Sequence, residues 1–371
     1  MTIRVKIRHD RQIICPVRFT RAVTGAPQAD APEVDDRGFA MGARQGTWGN
    51  SPARGAMVSI ATGDTVRVRL LREDIDATAP IFMTSPDTAV VEVVEPVGGG
   101  PLPADGVFKI RGVADFANRP VSVQARLGDA HGPVIGELEP HVFNLRVLRV
   151  VAHLVSINGV STARTAATLT TLFDEANAIW RPAGIRFLYG QTQTRTTPVN
   201  GFSVAGQMTT TMNAGTPGHV PGANNWNEFS TIINTNVRAN YINVYFVRQA
   251  NEIRGLTYAN DVARPNGYGI VLVDGADAND LAHELLHFLD TEGHADDPVP
   301  ATANAKVDMW ARRRLMYAFN PYGASGIAHR DDVGYGNIAR GSLITVKNTP
   351  NTVEANDAEL ERARARSLNP Y

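Results

Sequence analysis

The residues best suited to chemistry are His283, Glu284 and His287, in the stretch His283-Glu284-Leu285-Leu286-His287. Two histidines four positions apart lie on one face of an α-helix, so both imidazoles can bind one metal ion. Glu284 lies one position further round, where its carboxylate can reach a water on that metal without being a ligand. The pattern predicts a zinc site for hydrolysis; the alternative is two ordinary helix histidines.

The surrounding residues predict the helix that this spacing requires. Asp277 or Asn279 can cap its first turn. Leucines at helical spacing supply a buried face, namely Leu281, Leu285, Leu286 and Leu289.

A zinc protease needs a third protein ligand and an open fourth position. Gly293 can adopt the left-handed conformation that ends a helix, which lets the chain return His294 to the metal. Asp290 lies on the face of the two histidines but about 4.5 Å beyond His287 along the axis, so it fits better as an acceptor for a ligand histidine N–H. We therefore expect His294 as third ligand, with Asp290, Asp296 and Asp297 as the alternatives.

A second stretch, about thirty residues downstream, is Leu315-Met316-Tyr317-Ala318-Phe319-Asn320-Pro321. With the histidine motif it resembles the metzincins, a metalloprotease clan with an extended histidine motif and a methionine turn beneath the zinc. The resemblance covers roughly residues 145–371 and gives Met316 the role of that methionine. Asp290 stands where the clan has a glycine, and His294 comes one position late, as a one-residue insertion in the turn would explain.

Within the clan, Asn243–Val247 followed by Gly255-Leu256-Thr257-Tyr258 looks most like the pappalysin branch. The resemblance implies an α+β, zincin-like domain with a mixed twisted sheet and an active-site helix. It also implies a protein or peptide substrate that adds as a strand along the sheet edge at Gly255, Leu256, Thr257 and Tyr258.

The implied activity is that of a zinc endopeptidase. Zn²⁺ bound by three histidines activates water and polarises the scissile carbonyl, and Glu284 acts as general base. The competing hypothesis is a non-catalytic binding or adhesion protein with a degenerate protease domain. A third, a secreted toxin or effector, would use the same protease chemistry.

The elements around the motif have the periodicity of alternating strands and helices. Leu145–Ile157 is an apolar strand, Ser161 is a candidate N-cap, and apolar residues at helical spacing follow to Trp180. Further elements are predicted as a strand at Ile185–Leu188, a helix around Asn225–Val237, strands at Tyr241–Val247 and Gly269–Asp274, and a closing helix at Asp357–Ser367.

Residues 1–144 have short alternating segments broken by turn residues, typical of an all-β, immunoglobulin-like sandwich with a long loop at 21–56. The domains expected are therefore 1–144 and 145–371. Cys15 is the single cysteine, which excludes an intramolecular disulfide. A role for its thiol in covering the zinc position is a weaker hypothesis than a buried strand residue.

The 371 residues carry 36 basic and 37 acidic side chains, a balance that argues against a nucleic-acid binder. No apolar run is long enough for a transmembrane helix, and residues 1–10 lack the apolar stretch of a signal peptide. We expect export by a signal-independent route or a mature secreted form, and otherwise a cytoplasmic protein. The sequence does not predict an oligomeric state.

Overall fold

A computed structural model describes residues 17–21, 39–40, 56–72, 75–115, 121–209, 226–250, 253–258 and 269–289. Within these residues the protein is mostly β, with three α-helices and mixed sheets, which is compatible with the α+β class. None of the described helices is long and apolar enough to cross a membrane. The described residues form two compact units, 17–145 with 181–184, and 146–180 with 185–289.

The first unit consists of strands. They are β1 (Val17–Arg21), β2 (Phe39–Ala40), β3 (Ala56–Ala61), β4 (Thr65–Arg72), β5 (Ile81–Thr84), β6 (Val91–Glu95), β7 (Val107–Gly112), β8 (Val123–Leu127) and β9 (Val134–Phe143). One sheet has the order β1-β4-β7-β6 and the other β2-β3-β9-β8-β5. All pairs are antiparallel except β3 with β9.

The alternation of apolar and polar residues along the sequence explains the strands of this unit. In β4, Val68 and Leu70 are buried while Arg67 and Arg69 lie on the more exposed face. The two sheets approach closely, since a Cβ on Gly136 of β9 would clash with the Val17 side chain of β1. The predicted loop 21–56 contains one described strand of its own, β2.

The second unit alternates strands and helices. Its elements are β10 (Arg146–Ile157), β11 (Val160–Ser161), α1 (Ala166–Trp180), β12 (Ile185–Leu188), β13 (Thr194–Val199), β14 (Gln207–Met208), α2 (Trp226–Ile233), β15 (Ile242–Val247), β16 (Gln249–Ala250), β17 (Gly255–Tyr258), β18 (Gly269–Val273) and α3 (Ala278–Leu289). The strands predicted at Leu145–Ile157, Ile185–Leu188, Tyr241–Val247 and Gly269–Asp274 and the helix near Asn225–Val237 are confirmed as β10, β12, β15, β18 and α2, with small shifts at their ends.

The main sheet of this unit has the order β11-β10-β15-β18-β17, and β12 and β13 also pair with β10. β10, β12, β13, β15 and β18 are connected by parallel pairings, whereas β17 is antiparallel to β18. All six residues of β15 are buried, as expected for a strand covered on both faces. Phe173 of α1 packs against Phe246 on one face, and Phe229 of α2 joins Tyr245 on the other.

The prediction of Ser161 as the N-cap of α1 is wrong. Ser161 pairs with Ser156 in the β10–β11 hairpin, so the chain is still extended there. The cap is Thr165, whose Oγ1 accepts from the Thr168 amide at 3.2 Å, while the Thr165 amide donates to Thr168 Oγ1 at 3.0 Å. This reciprocal pair satisfies amides of the first helical turn.

His153, in β10, is fully buried at the centre of the sheet. Its Nδ1 lies 3.0 Å from Thr197 Oγ1 and its Nε2 lies 3.0 Å from Asn243 Oδ1. The Asn243 amide nitrogen donates to two backbone carbonyls, so Oδ1 must accept and Nε2 carries the proton. Burial lowers the pKa of His153 to about 4, chiefly by desolvation, with the nearby charge of Arg195 acting in the same direction.

Candidate metal centre

The helix that carries the histidine motif begins at a well-formed N-cap. Of the two cap candidates, Asp277 holds the position, because its Oδ1 accepts from the amides of Asn279 at 2.8 Å and Asp280 at 3.0 Å. Asp280 Oδ2 accepts in return from the Asp277 amide at 2.9 Å. Two carboxylates thus satisfy the orphan amides of the helix start and complement its dipole.

Most of α3 is buried between neighbouring elements. It contacts α1 on one side and β17 and β18 on the other. Its leucines are buried as predicted, and Glu284 is only 7% exposed. His283 and His287 are only half-buried, so these two imidazoles lie on the part of the helix that remains accessible.

The two imidazoles lie next to each other. Their ring centroids are 4.7 Å apart and the ring planes meet at 86°. One helical turn separates the residues, and each ring carries a nitrogen able to donate a lone pair when neutral. The pair therefore provides two of the donors that a zinc site needs.

Glu284 is held by the neighbouring edge strand. Thr257 Oγ1 of β17 lies 2.6 Å from Glu284 Oε2 and donates to it. The same hydroxyl lies 3.0 Å from the backbone carbonyl oxygen of Glu284. A short hydrogen bond to a carboxylate is among the stronger ones in proteins, so the Glu284 carboxylate has a defined place against β17.

Gly255 provides the room for that carboxylate. A Cβ added to Gly255 would lie 2.7 Å from both Glu284 Cγ and Oε1 and 2.9 Å from Cδ. These distances are shorter than any normal carbon contact, so a larger residue would force Glu284 to move. The requirement for glycine here is steric, since the close approach is of side chain to strand.

The register of β17 orients its backbone. The Val273 amide donates to Arg254 O at 3.0 Å, which makes these two residues a hydrogen-bonded antiparallel pair. Hydrogen-bonded and non-hydrogen-bonded pairs alternate along an antiparallel ladder, so Leu256 is the next residue that hydrogen-bonds to β18. Gly255, which lies opposite Leu272, and Thr257 therefore direct their N–H and C=O groups away from β18. The two residues that contact Glu284 therefore also present their backbone at the outer side of β17.

Several predicted residues lie outside the described part of the chain, namely Cys15, Asp290, His294, Asp296, Asp297, Met316 and the closing helix. Within the described ranges, no group of three or more His, Cys, Asp and Glu residues is placed to hold a metal. The structure places His283 next to His287, and Glu284 next to Gly255 and Thr257. Leu256 packs on the opposite face of the sheet, against an apolar cluster that includes Tyr245 and Val271.

Sequence reasoning missed one residue that positions the site. Arg254 Nη1 donates to Asp280 Oδ2 at 3.1 Å and lies 3.8 Å from Asp277 Oδ2, which joins the start of β17 to the first turn of α3. The only sequence feature that could have pointed to Arg254 is its position immediately before Gly255.

Searches with protein-family models and among curated proteins give no match to this chain. The histidine pair, the buried carboxylate and the edge strand are therefore the observations from which a function must be inferred. They make the histidine pair of α3 a candidate metal centre and Glu284 a candidate general base.

Proposed function

We propose that the chain is a zinc-dependent endopeptidase of metzincin type. The observation that carries this proposal is the position of Glu284, a buried carboxylate adjacent in sequence to one half-buried imidazole and one turn from another. Burying a carboxylate costs free energy unless hydrogen bonds compensate, and Thr257 donates one here, so the strand keeps an ionisable group at a buried position of α3.

The donor set fits zinc. Neutral imidazole is a common zinc ligand, and His283 and His287 are half-buried residues of a helix that is mostly buried. We propose His294 as the third ligand, reached through the reversal at Gly293, and Asp290 as the acceptor of a histidine N–H. Met316 is proposed to lie beneath the metal.

The chemistry divides between the ion and the chain. When bound, zinc supplies a Lewis acid that polarises the scissile carbonyl and acidifies water. Glu284 accepts the proton of the attacking water and passes it to the leaving amine. Thr257 and Gly255 hold the carboxylate at the position where this transfer takes place.

The substrate is proposed to be a protein or peptide in extended conformation. Gly255 and Thr257 direct backbone donors and acceptors away from β18, as β-strand addition requires. A peptide at that side of β17 would run next to Glu284. The nearly equal numbers of basic and acidic residues give no reason to propose a nucleic-acid partner.

The fold supports the same proposal. The chain order is a strand (β10), a long helix (α1), further strands with the short helix α2 among them, and then the helix of the histidine motif, close to the order that the resemblance implies. We propose that the second unit is a zincin-like domain and that the first, with its two closely approaching sheets, is an immunoglobulin-like sandwich. A non-catalytic binding protein would not require Glu284 to be held as it is.

The deciding experiment compares the wild type with Glu284→Gln. The purified wild type should hold about one zinc per chain and cleave fluorescent casein, and a chelator should abolish the cleavage. Glu284→Gln should keep its zinc while kcat falls by orders of magnitude, because the variant loses the base but no ligand. Full activity without zinc, or an active Glu284→Gln variant, would refute the proposal.

A further inference from the structure

We propose that Asn200 is a modification site of the folded protein, at which water converts the side-chain amide to a carboxylate, and that the fold protects Asn158 from the same reaction. The described part of the chain contains two asparagines that precede a glycine, namely Asn158 before Gly159 and Asn200 before Gly201. The inference comes from the different surroundings of these two pairs and does not depend on the proposed peptidase function.

The reaction is spontaneous and needs only water. The backbone nitrogen of the following residue loses its proton to solvent and attacks the asparagine Cγ, so a cyclic imide forms while the side-chain nitrogen leaves as ammonia. Water then adds to either ring carbonyl and opens the ring to aspartate or isoaspartate, so that amide and water give carboxylic acid and ammonia. A following glycine favours the attack, because no Cβ stands beside its nitrogen.

Asn200 has the freedom that this attack requires. Asn200 and Gly201 are both exposed, in the connection that follows β13. Within the described part of the chain, no residue hydrogen-bonds to the Asn200 side chain or to the Gly201 amide. A Cβ at Gly201 would meet nothing within 4 Å, so the surroundings are open. Isoaspartate at position 200 would lengthen the backbone path into Phe202, which is buried in an apolar cluster.

Asn158 is held at both ends of its side-chain amide. Its Nδ2 donates to Phe202 O at 2.7 Å, and its Oδ1 accepts from the Phe202 amide at 3.3 Å. Its backbone is fixed as well, because Asn158 and Gly159 have φ angles of 48° and 83° in the tight hairpin between β10 and β11. Attack by the Gly159 nitrogen would therefore require both side-chain hydrogen bonds to break.

The test ages the full-length wild type in neutral buffer below its unfolding temperature and follows both positions by tandem mass spectrometry. A chelator in the buffer prevents the proposed peptidase from cleaving the chain, and heavy-oxygen water marks the carboxylates that form during ageing. Trypsin places Asn158 in the peptide 150–164 and Asn200 in the peptide 196–238. Position 200 should convert within days to weeks and at least about 10-fold faster than position 158, where two hydrogen bonds must first break.

The matched control is the same chain unfolded in guanidinium chloride. Each asparagine follows a β-branched residue, Ile157 or Val199, so without the fold the two positions should convert at similar rates. Asn200→Gln is the second control, since the longer glutamine side chain closes the ring far more slowly. The aged wild type should unfold at a lower temperature than an equally aged Asn200→Gln variant.

Two results would overturn the inference. One is equal conversion of positions 158 and 200 in the folded protein, because the fold would then protect neither. The other is a position 200 that keeps its amide in the folded protein over a period in which the unfolded chain is converted. Since the metal is removed throughout, a failure of the peptidase proposal would leave both readings unchanged.

Discussion

Arg254 Nη1 and Asp280 Oδ2 lie 3.1 Å apart, and this pair joins the residue before β17 to the first turn of α3. Asp280 is 6% exposed, while about half of the Arg254 side chain is accessible. The arginine therefore neutralises a carboxylate that has little access to water. Because β17 carries Gly255 and Thr257 and α3 carries Glu284, the pair also fixes the two elements that meet at the site.

The first prediction concerns this pair. Arg254→Ala should lower the free energy of unfolding by about 1–2 kcal/mol, since it removes a cation that pairs with the buried carboxylate of Asp280. Urea unfolding of the wild type and variant would measure the difference. Arg186→Ala, at an exposed arginine of β12, is the matched control and should change stability by less than about 0.5 kcal/mol. Equal effects of the two substitutions would contradict the role of Arg254.

The second prediction concerns Gly255. Gly255→Ala should displace the Glu284 carboxylate, because the new Cβ would lie 2.7 Å from Oε1, and should lower casein cleavage at least about 10-fold while zinc stays bound. Gly275→Ala is the control, since nothing lies within 4 Å of a Cβ there. Both variants would be assayed for zinc content and rate. An unimpaired Gly255→Ala enzyme would show that the carboxylate has another place to go.

The third prediction concerns pH. The pKa of His153 falls from 6.5 to about 4 on folding, so between these values the unfolded state binds the extra proton. The free energy of unfolding should therefore be highest above pH 6.5 and should decrease as the pH falls towards 4, by up to about 3 kcal/mol. Burial raises the pKa of Tyr245, which stacks on the His153 ring, so the tyrosine stays neutral throughout this range.

Urea unfolding at several pH values would measure that slope. His153→Gln replaces the ring by an amide that does not titrate, so this variant should be less stable at pH 7 and have a flatter pH dependence. If the unfolding free energy of the variant depends on pH as steeply as that of the wild type between pH 6.5 and 4, other groups are responsible for the dependence.

The fourth prediction concerns the third ligand. His294→Ala should lose zinc during dialysis, whereas Asp290→Ala should keep zinc with an affinity reduced about 10- to 100-fold, because it removes only the acceptor of a histidine N–H. Zinc affinity would be measured by competition with a chromogenic chelator. The opposite order, with zinc lost from Asp290→Ala and retained by His294→Ala, would transfer the ligand role to the aspartate.

Local patterns in the sequence predict the helix of the histidine motif and the buried strands around it. The leucines of α3 recur at helical spacing, and β15 is apolar throughout, so both elements could be assigned from neighbouring residues alone. The N-cap of α1 could not be assigned in this way, because Ser161 and Thr165 are both favoured N-cap types, and serine is slightly preferred. Only the pairing of Ser161 with Ser156 decides between them.

The contacts that position the site depend on residues far apart in the chain. Thr257 and Glu284 are separated by 27 positions, and His153 and Asn243 by 90. Alternation places Gly255 and Thr257 on one face of a strand, but it does not tell which face meets α3. That choice is made by the packing of Leu256 into the apolar cluster on the other side.

The alternation of β17 has a consequence for how this protein can diversify. Gly255 and Thr257 face Glu284 with their Cα substituents and direct their peptide groups away from β18, so each position has two structural roles. If peptides add at that side, a substitution that reshapes the groove also disturbs the base. Changes in cleavage preference must then accumulate outside this strand, and the four residues of β17 should tolerate fewer substitutions than the segments that flank it.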